Sequence, residues 1–145
     1  MKIAKVRTVK TPTRGTEKSA GLDFYVPEDF VKKVMLVGDS LLIPSGIKVK
    51  IPQGFVLIGF NKSGVATKLG LQIGACVIDE DYQGEIHIHL TKISGEQISI
   101  EPGMKIAQFI LLPVVYETID VVQIEYLYPE VSERGEGCFG STGVK

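Results

Sequence analysis

Cysteine and histidine are scarce in this chain, with two of each in 145 residues. Cys76 and Cys138 match no zinc-ligand spacing, and so few soft ligands argue against a protein-held transition metal. A disulfide framework is not needed either, since a domain of this length buries about 70% of its unfolded surface. A reducing, cytoplasmic setting follows. Long apolar runs are also missing. The most apolar stretch, Phe109 to Tyr116, is too short to span a bilayer and contains Pro113. The opening "MKIAKVRTVK" lacks the apolar centre of a secretory leader. No membrane partner is therefore expected. Neither sign of charge dominates: 16 basic residues stand against 17 acidic ones, for a net charge of −1. That balance offers no broad attraction to nucleic acid, so any phosphate binding must be local. There is no internal repeat and no second folded domain.

What remains is a chain of short alternating segments. "GIKVKI" (46–51), "GEIHIHL" (84–90) and "QISI" (97–100) alternate with a period of two. "GFVLIGF" (54–60) and "KIAQFILLP" (105–113) are near-continuous apolar runs, as expected of strands covered on both faces. Proline and glycine turn signals separate them at intervals of about ten residues. The pattern predicts an all-β sandwich or barrel with one short helix over "SGVATKLG" (63–70). The body is expected to cover residues 1–131. A glycine-rich arm, "SERGEGCFGSTGVK", follows over 132–145.

Several segments could carry chemistry, and each also has a plain structural reading. In the arm, glycine N–H groups can form an anion-binding nest. Arg134 adds a fork of donors suited to phosphate, Ser141 and Thr142 add hydroxyls, and Phe139 could stack on a base. The same arm could be a solubilising tail. In "FNKSGVATKLG", Lys62 and Ser63 could hold phosphate, or Ser63 could simply cap the helix. It is not a Walker loop, because Asn61 precedes the lysine. "GACVIDEDYQGEIHIHL" reads as a β-hairpin whose turn carries three carboxylates. Asp79, at the end of "CVI", is placed as a general base for water would be, though aspartate is also a common turn residue. Tyr82 could floor a sugar pocket or pack in the core. In "AGLDFYVPED", Asp23 could be an edge carboxylate. Gln108, inside an apolar run, must find partners if buried. His87 and His89 share one strand face and read as surface or packing residues.

Taken in order, "AGLDFY", "NKSGVA", "GACVIDEDYQGEI", "GMKIAQF" and "RGEGCFGSTG" resemble the five motifs of the homotrimeric dUTPase family, from about Ala20 to Gly143. The third and fifth motifs are the specific ones. The resemblance implies a trimeric, jelly-roll-like β protein that hydrolyses dUTP to dUMP and pyrophosphate with Mg²⁺. It implies that Asp79 activates the attacking water and that Tyr82 packs against the deoxyribose, leaving no room for a 2′-hydroxyl. The backbone of Cys76, Val77, Ile78 and Asp79, with His87 nearby, would read uracil. Lys62, Ser63, Gly64 and Gln108 would hold the phosphate chain, and Arg134 its γ end. Phe139 would cover the base while Gly140, Ser141 and Thr142 close the phosphate side. Asp23 would lie near the magnesium, acting through water. Three chains would build each site, and an extended arm of a dozen residues reaches about 40 Å.

The chain departs from the family pattern in places. Lys62 and Lys105 stand where arginine is usual, and Met104 where aspartate is frequent. Cys76 and Cys138 occupy positions that are often glycine, so an unusual backbone at Cys76 would imply strain. Two other readings compete. A dCTP deaminase would need a glutamate in a different hairpin signature. A non-catalytic, nucleotide-responsive binding protein would have no need of Asp79, Tyr82, Arg134 and Phe139 together.

Overall fold

The computed structural model describes residues 1–138. Its strands are β1 (Lys2–Lys5), β2 (Thr13–Arg14), β3 (Leu22–Tyr25), β4 (Lys33–Met35), β5 (Ser40–Pro44) and β6 (Ile47–Lys50). They continue with β7 (Phe55–Phe60), β8 (Leu71–Ile73), β9 (Val77–Ile78), β10 (His87–Lys92), β11 (Ile98–Ile100) and β12 (Lys105–Pro113). The helices are α1 (Ser63–Leu69) and the single turn α2 (Ile124–Leu127). The chain is thus mostly β, with one more short helix than the sequence suggests. Among the described residues no helix is long and apolar enough to cross a membrane.

All strand pairings are antiparallel. The largest sheet runs β2-β3-β12-β7-β9; a second runs β5-β10-β8, and β1-β6 and β11-β4 form ribbons. Alternation sets which side chains go inward. In β6, Ile47 and Val49 are buried while Lys48 and Lys50 face water. β12 lies between β3 and β7, which explains its near-continuous apolar run. Its Phe109 meets Phe24 of β3 with ring centroids 4.4 Å apart and planes tilted by 45°. Phe24 is fully buried, which contributes about 2–3 kcal/mol from its apolar surface.

The simple hairpin expected at "GACVIDEDYQGEIHIHL" is divided between two sheets. β9 pairs with β7, whereas β10 pairs with β5 and β8. Two hydrogen bonds decide the split. The Gly59 N–H donates to the Cys76 carbonyl at 2.8 Å and draws the lead-in onto β7. The Gly74 N–H donates to the His89 carbonyl at 3.0 Å and extends the β8–β10 ladder. The bend carrying Asp79 is therefore held from both sides.

The chain divides into two compact units, Met1–Val115 and Tyr116–Lys145. This break precedes the functional boundary expected between residues 131 and 132, which concerns what closes over a site. The second unit contains α2 and turns around Arg134, where the Gly137 N–H donates to the Arg134 carbonyl at 3.0 Å. Ile119, Val121, Ile124, Tyr126, Tyr128 and Val131 of this unit are all exposed.

Candidate active site

A cleft of about 250 Å³ opens at the bend between β9 and β10. It is lined by Cys76, Val77, Ile78, Asp79, Tyr82 and His87, with Leu42 and Ala75. Among the described residues no donor engages the Asp79 carboxylate, which is exposed in this cleft. Its carbonyl accepts the Tyr82 N–H at 3.2 Å and closes the bend. The next carboxylate behaves differently: Glu80 accepts the Gly54 N–H at 2.7 Å and pins the bend to the turn before β7. Tyr82 is 42% exposed, and its hydroxyl donates to the Glu85 carbonyl at 2.9 Å. Its ring lies directly over Gly84, where an added Cβ would come within 2.2 Å of the phenolic oxygen. Only glycine allows that approach. His87 Nδ1 donates to the same Glu85 carbonyl at 3.0 Å. No non-glycine residue among those described has a positive φ, so Cys76 carries none of the strain that its replacement of glycine suggests.

A second cleft, of about 560 Å³, shares no lining residue with the first. Lys62, Ser63, Gly64, Lys68, Lys105 and Gln108 supply its polar side, and Val65 and Leu69 line the rest. Lys62, not Ser63, occupies the cap position of α1, and no side-chain cap bond forms. The capping reading of Ser63 is thereby corrected: the hydroxyl sits one residue inside the helix, where it cannot cap but can meet a ligand. Gln108 is half-buried and donates to the Asn61 carbonyl at 2.8 Å. Asp23 lies opposite Gln108 across the β3–β12 ladder. Its carboxylate is 7% exposed and pairs with Lys62 and, at 3.5 Å, with Lys105. A carboxylate so far from water requires such partners. The cleft is thus lined by three ammonium groups, two of them steadied by one buried anion.

The family model described as dUTPase matches residues 7–143 of this chain. The deoxyuridine 5′-triphosphate nucleotidohydrolase of Candida glabrata is 40% identical over 132 residues, covering 91% of this chain and 88% of that protein. That of Fusobacterium nucleatum is 35% identical, covering 99% and 96%. The chain belongs to the dUTPase family. Among solved structures, the dUTPase of Staphylococcus bacteriophage 80alpha with dUPNHPP superposes with a TM-score of 0.84 at 26% identity, covering 99% of this chain and 98% of that one.

Among the described residues no three His, Cys, Asp or Glu side chains converge. Asp23, shared by two ammonium groups, is a poor direct ligand. The donor set fits Mg²⁺ only as an ion that arrives on phosphate oxygens and water. Arg134 belongs to the second unit, where its Nε donates to the Gly137 carbonyl at 3.0 Å. Phe139, Gly140, Ser141 and Thr142 lie outside the described residues.

Sequence reasoning did not single out Lys68, which lines the second cleft, or Glu85, which anchors the bend beside the first, and it took Lys105 only as a departure. Lys68 was legible in principle, since it follows Gly64 by one helical turn and shares its face. Glu85 was not. Burial raises its carboxyl, but the Arg7 guanidinium, the Gly46 N–H and the nearby charges outweigh that and hold it below the ordinary carboxylate range.

Proposed function

We infer that this chain is a dUTP diphosphatase, which hydrolyses dUTP to dUMP and pyrophosphate. One observation carries the reading beyond family membership: the unengaged Asp79 carboxylate shares its cleft with Tyr82, His87 and the backbone from Cys76 to Ile78. Asp79 takes a proton from the water that attacks the α-phosphorus, and pyrophosphate leaves. The backbone of Cys76 to Asp79, with His87, reads uracil. Tyr82 packs on the deoxyribose and excludes a 2′-hydroxyl. Lys62, Ser63, Gly64 and Gln108 hold the phosphate chain. When bound, Mg²⁺ would supply charge neutralisation along the phosphates, and Asp23, which pairs with Lys62, would hold it through water.

The base cleft and the phosphate cleft are separate on one chain. That separation supports a homotrimer, in which jelly-roll bodies present the base cleft of one subunit to the phosphate cleft of the next. The exposed apolar side chains between Tyr116 and Val131 suit a segment that packs on a neighbour. Residues 132–145 then act as the arm that closes the site. Arg134 takes the γ-phosphate, Phe139 covers uracil, and Gly140, Ser141 and Thr142 seal the phosphate side.

Pyrophosphate release from dUTP, dCTP, dTTP and UTP, with and without Mg²⁺, tests this. Turnover of dUTP alone, lost on chelation, is expected. Equal turnover of all four, or none of dUTP, would contradict it.

A further inference from the structure

The residues assigned to sugar and base share one backbone atom. Tyr82 Oη and His87 Nδ1 both donate to the Glu85 carbonyl, at 2.9 and 3.0 Å. A carbonyl has two lone pairs, and here both are used. Among the described residues no other hydrogen bond restrains the Tyr82 hydroxyl. The position of its ring therefore depends on where the Glu85 peptide points.

That peptide is anchored through its own side chain. Glu85 is 15% exposed, and its Oε1 accepts Arg7 Nε–H at 2.9 Å and the Gly46 N–H at 2.7 Å. The second arm of Arg7 donates to Asp29 at 2.8 Å. On the far side, Ile86 is locked between Ile47 and Ser45 by two backbone hydrogen bonds of 2.9 Å. Glu85 is thus the junction between a rigid strand edge and the bend that carries Tyr82. Sheet geometry does not demand a glutamate at this point. Among the described residues the polar contacts of this side chain are a guanidinium and one N–H, and these hold its backbone in register.

We propose that the Arg7–Glu85 pair is a positioning device for substrate choice, which fixes the Tyr82 ring where it excludes a ribose 2′-hydroxyl. The proposal rests on the dUTP diphosphatase reading. Without the pair the ring gains freedom to yield, and a ribonucleotide is admitted. Neither residue lines the base cleft, so the effect is read in selectivity more than in the chemical step.

The test compares kcat/KM for dUTP and UTP in the unaltered protein and in Arg7→Ala, Glu85→Ala and the double variant, with Tyr82→Phe alongside. The preference for dUTP should fall by about tenfold in each single variant. The double variant should be no worse, because both changes release the same carbonyl. Glu85→Gln, which retains an acceptor for the Gly46 N–H, should recover part of the preference. If dUTP and UTP activities fall in proportion and the preference is unchanged, the pair is only structural and the proposal fails. If Glu85→Ala does not fold, Arg7→Ala, changed at a half-exposed side chain, decides alone. Failure of the unaltered protein to turn over dUTP would sink the diphosphatase reading itself, a result separable from any change in preference.

Discussion

Asp79, Glu80 and Asp81 are consecutive in the chain and have different fates. Glu80 is used by the fold as an acceptor for Gly54, Asp81 faces solvent, and Asp79 points its carboxylate into a cleft. Residue type alone offered three carboxylates, and the place of Asp79 at the end of "CVI" singled it out; the bend adds how Glu80 and Asp81 are used instead. The same holds for Asp23, whose type was legible but whose two lysine partners come from distant parts of the chain. Asp23→Asn removes the buried anion that pairs with both Lys62 and Lys105 and offsets their mutual repulsion. We expect a loss of about 2 kcal/mol, seen as a melting temperature lower by about 5 °C in a thermal scan. An unchanged melting temperature would mean the two lysines need no counter-ion.

The strands were the most legible elements, because an alternating run such as "GIKVKI" can bury only one face. Their partners were less so. β9 is two residues long, and its choice of β7 over β10 depends on hydrogen bonds from Gly59 and Gly74 that no local pattern announces. α1 was visible as a short helix, but not the means by which it is held. Gly70 ends it at φ 58°, and a Cβ there would come within 2.0 Å of the Ser94 carbonyl oxygen. Lys92, 1% exposed at a core-facing position of β10, donates to the Leu69 carbonyl at 2.8 Å and also to that of Ser94. It therefore steadies the last turn of α1 with a buried charge. Gly70→Ala must move this junction, since left-handed backbone alone costs a residue with Cβ about 1–2 kcal/mol. The expected outcome is a lower melting temperature together with a higher KM for dUTP, because α1 carries Ser63 and Gly64. Weaker inhibition by deoxyuridine, which carries no phosphates, would instead implicate the base cleft.

At the scale of the molecule, the five ordered motifs made the family readable before any coordinate, because they span nearly the whole chain. The two clefts are separate on one subunit, and only the proposed trimer joins them into one site. On the proposed assembly, deletion of residues 132–145 removes the closing arm and leaves the apolar segment before it. Light scattering should still report a trimer, while turnover of dUTP falls by about 10²-fold. Full activity in the truncated trimer would show the arm to be dispensable, and loss of the trimer would place its main role in assembly.

The account depends most on Asp79 as the group that activates water. Asp79→Asn keeps the size and shape of the side chain but removes its ability to take a proton. Calorimetric binding of a non-hydrolysable dUTP analogue, measured beside pyrophosphate release from dUTP, separates holding the nucleotide from cleaving it. The account predicts binding within a few-fold of the unaltered protein and release slower by about 10³-fold. Near-normal release in this variant would contradict it.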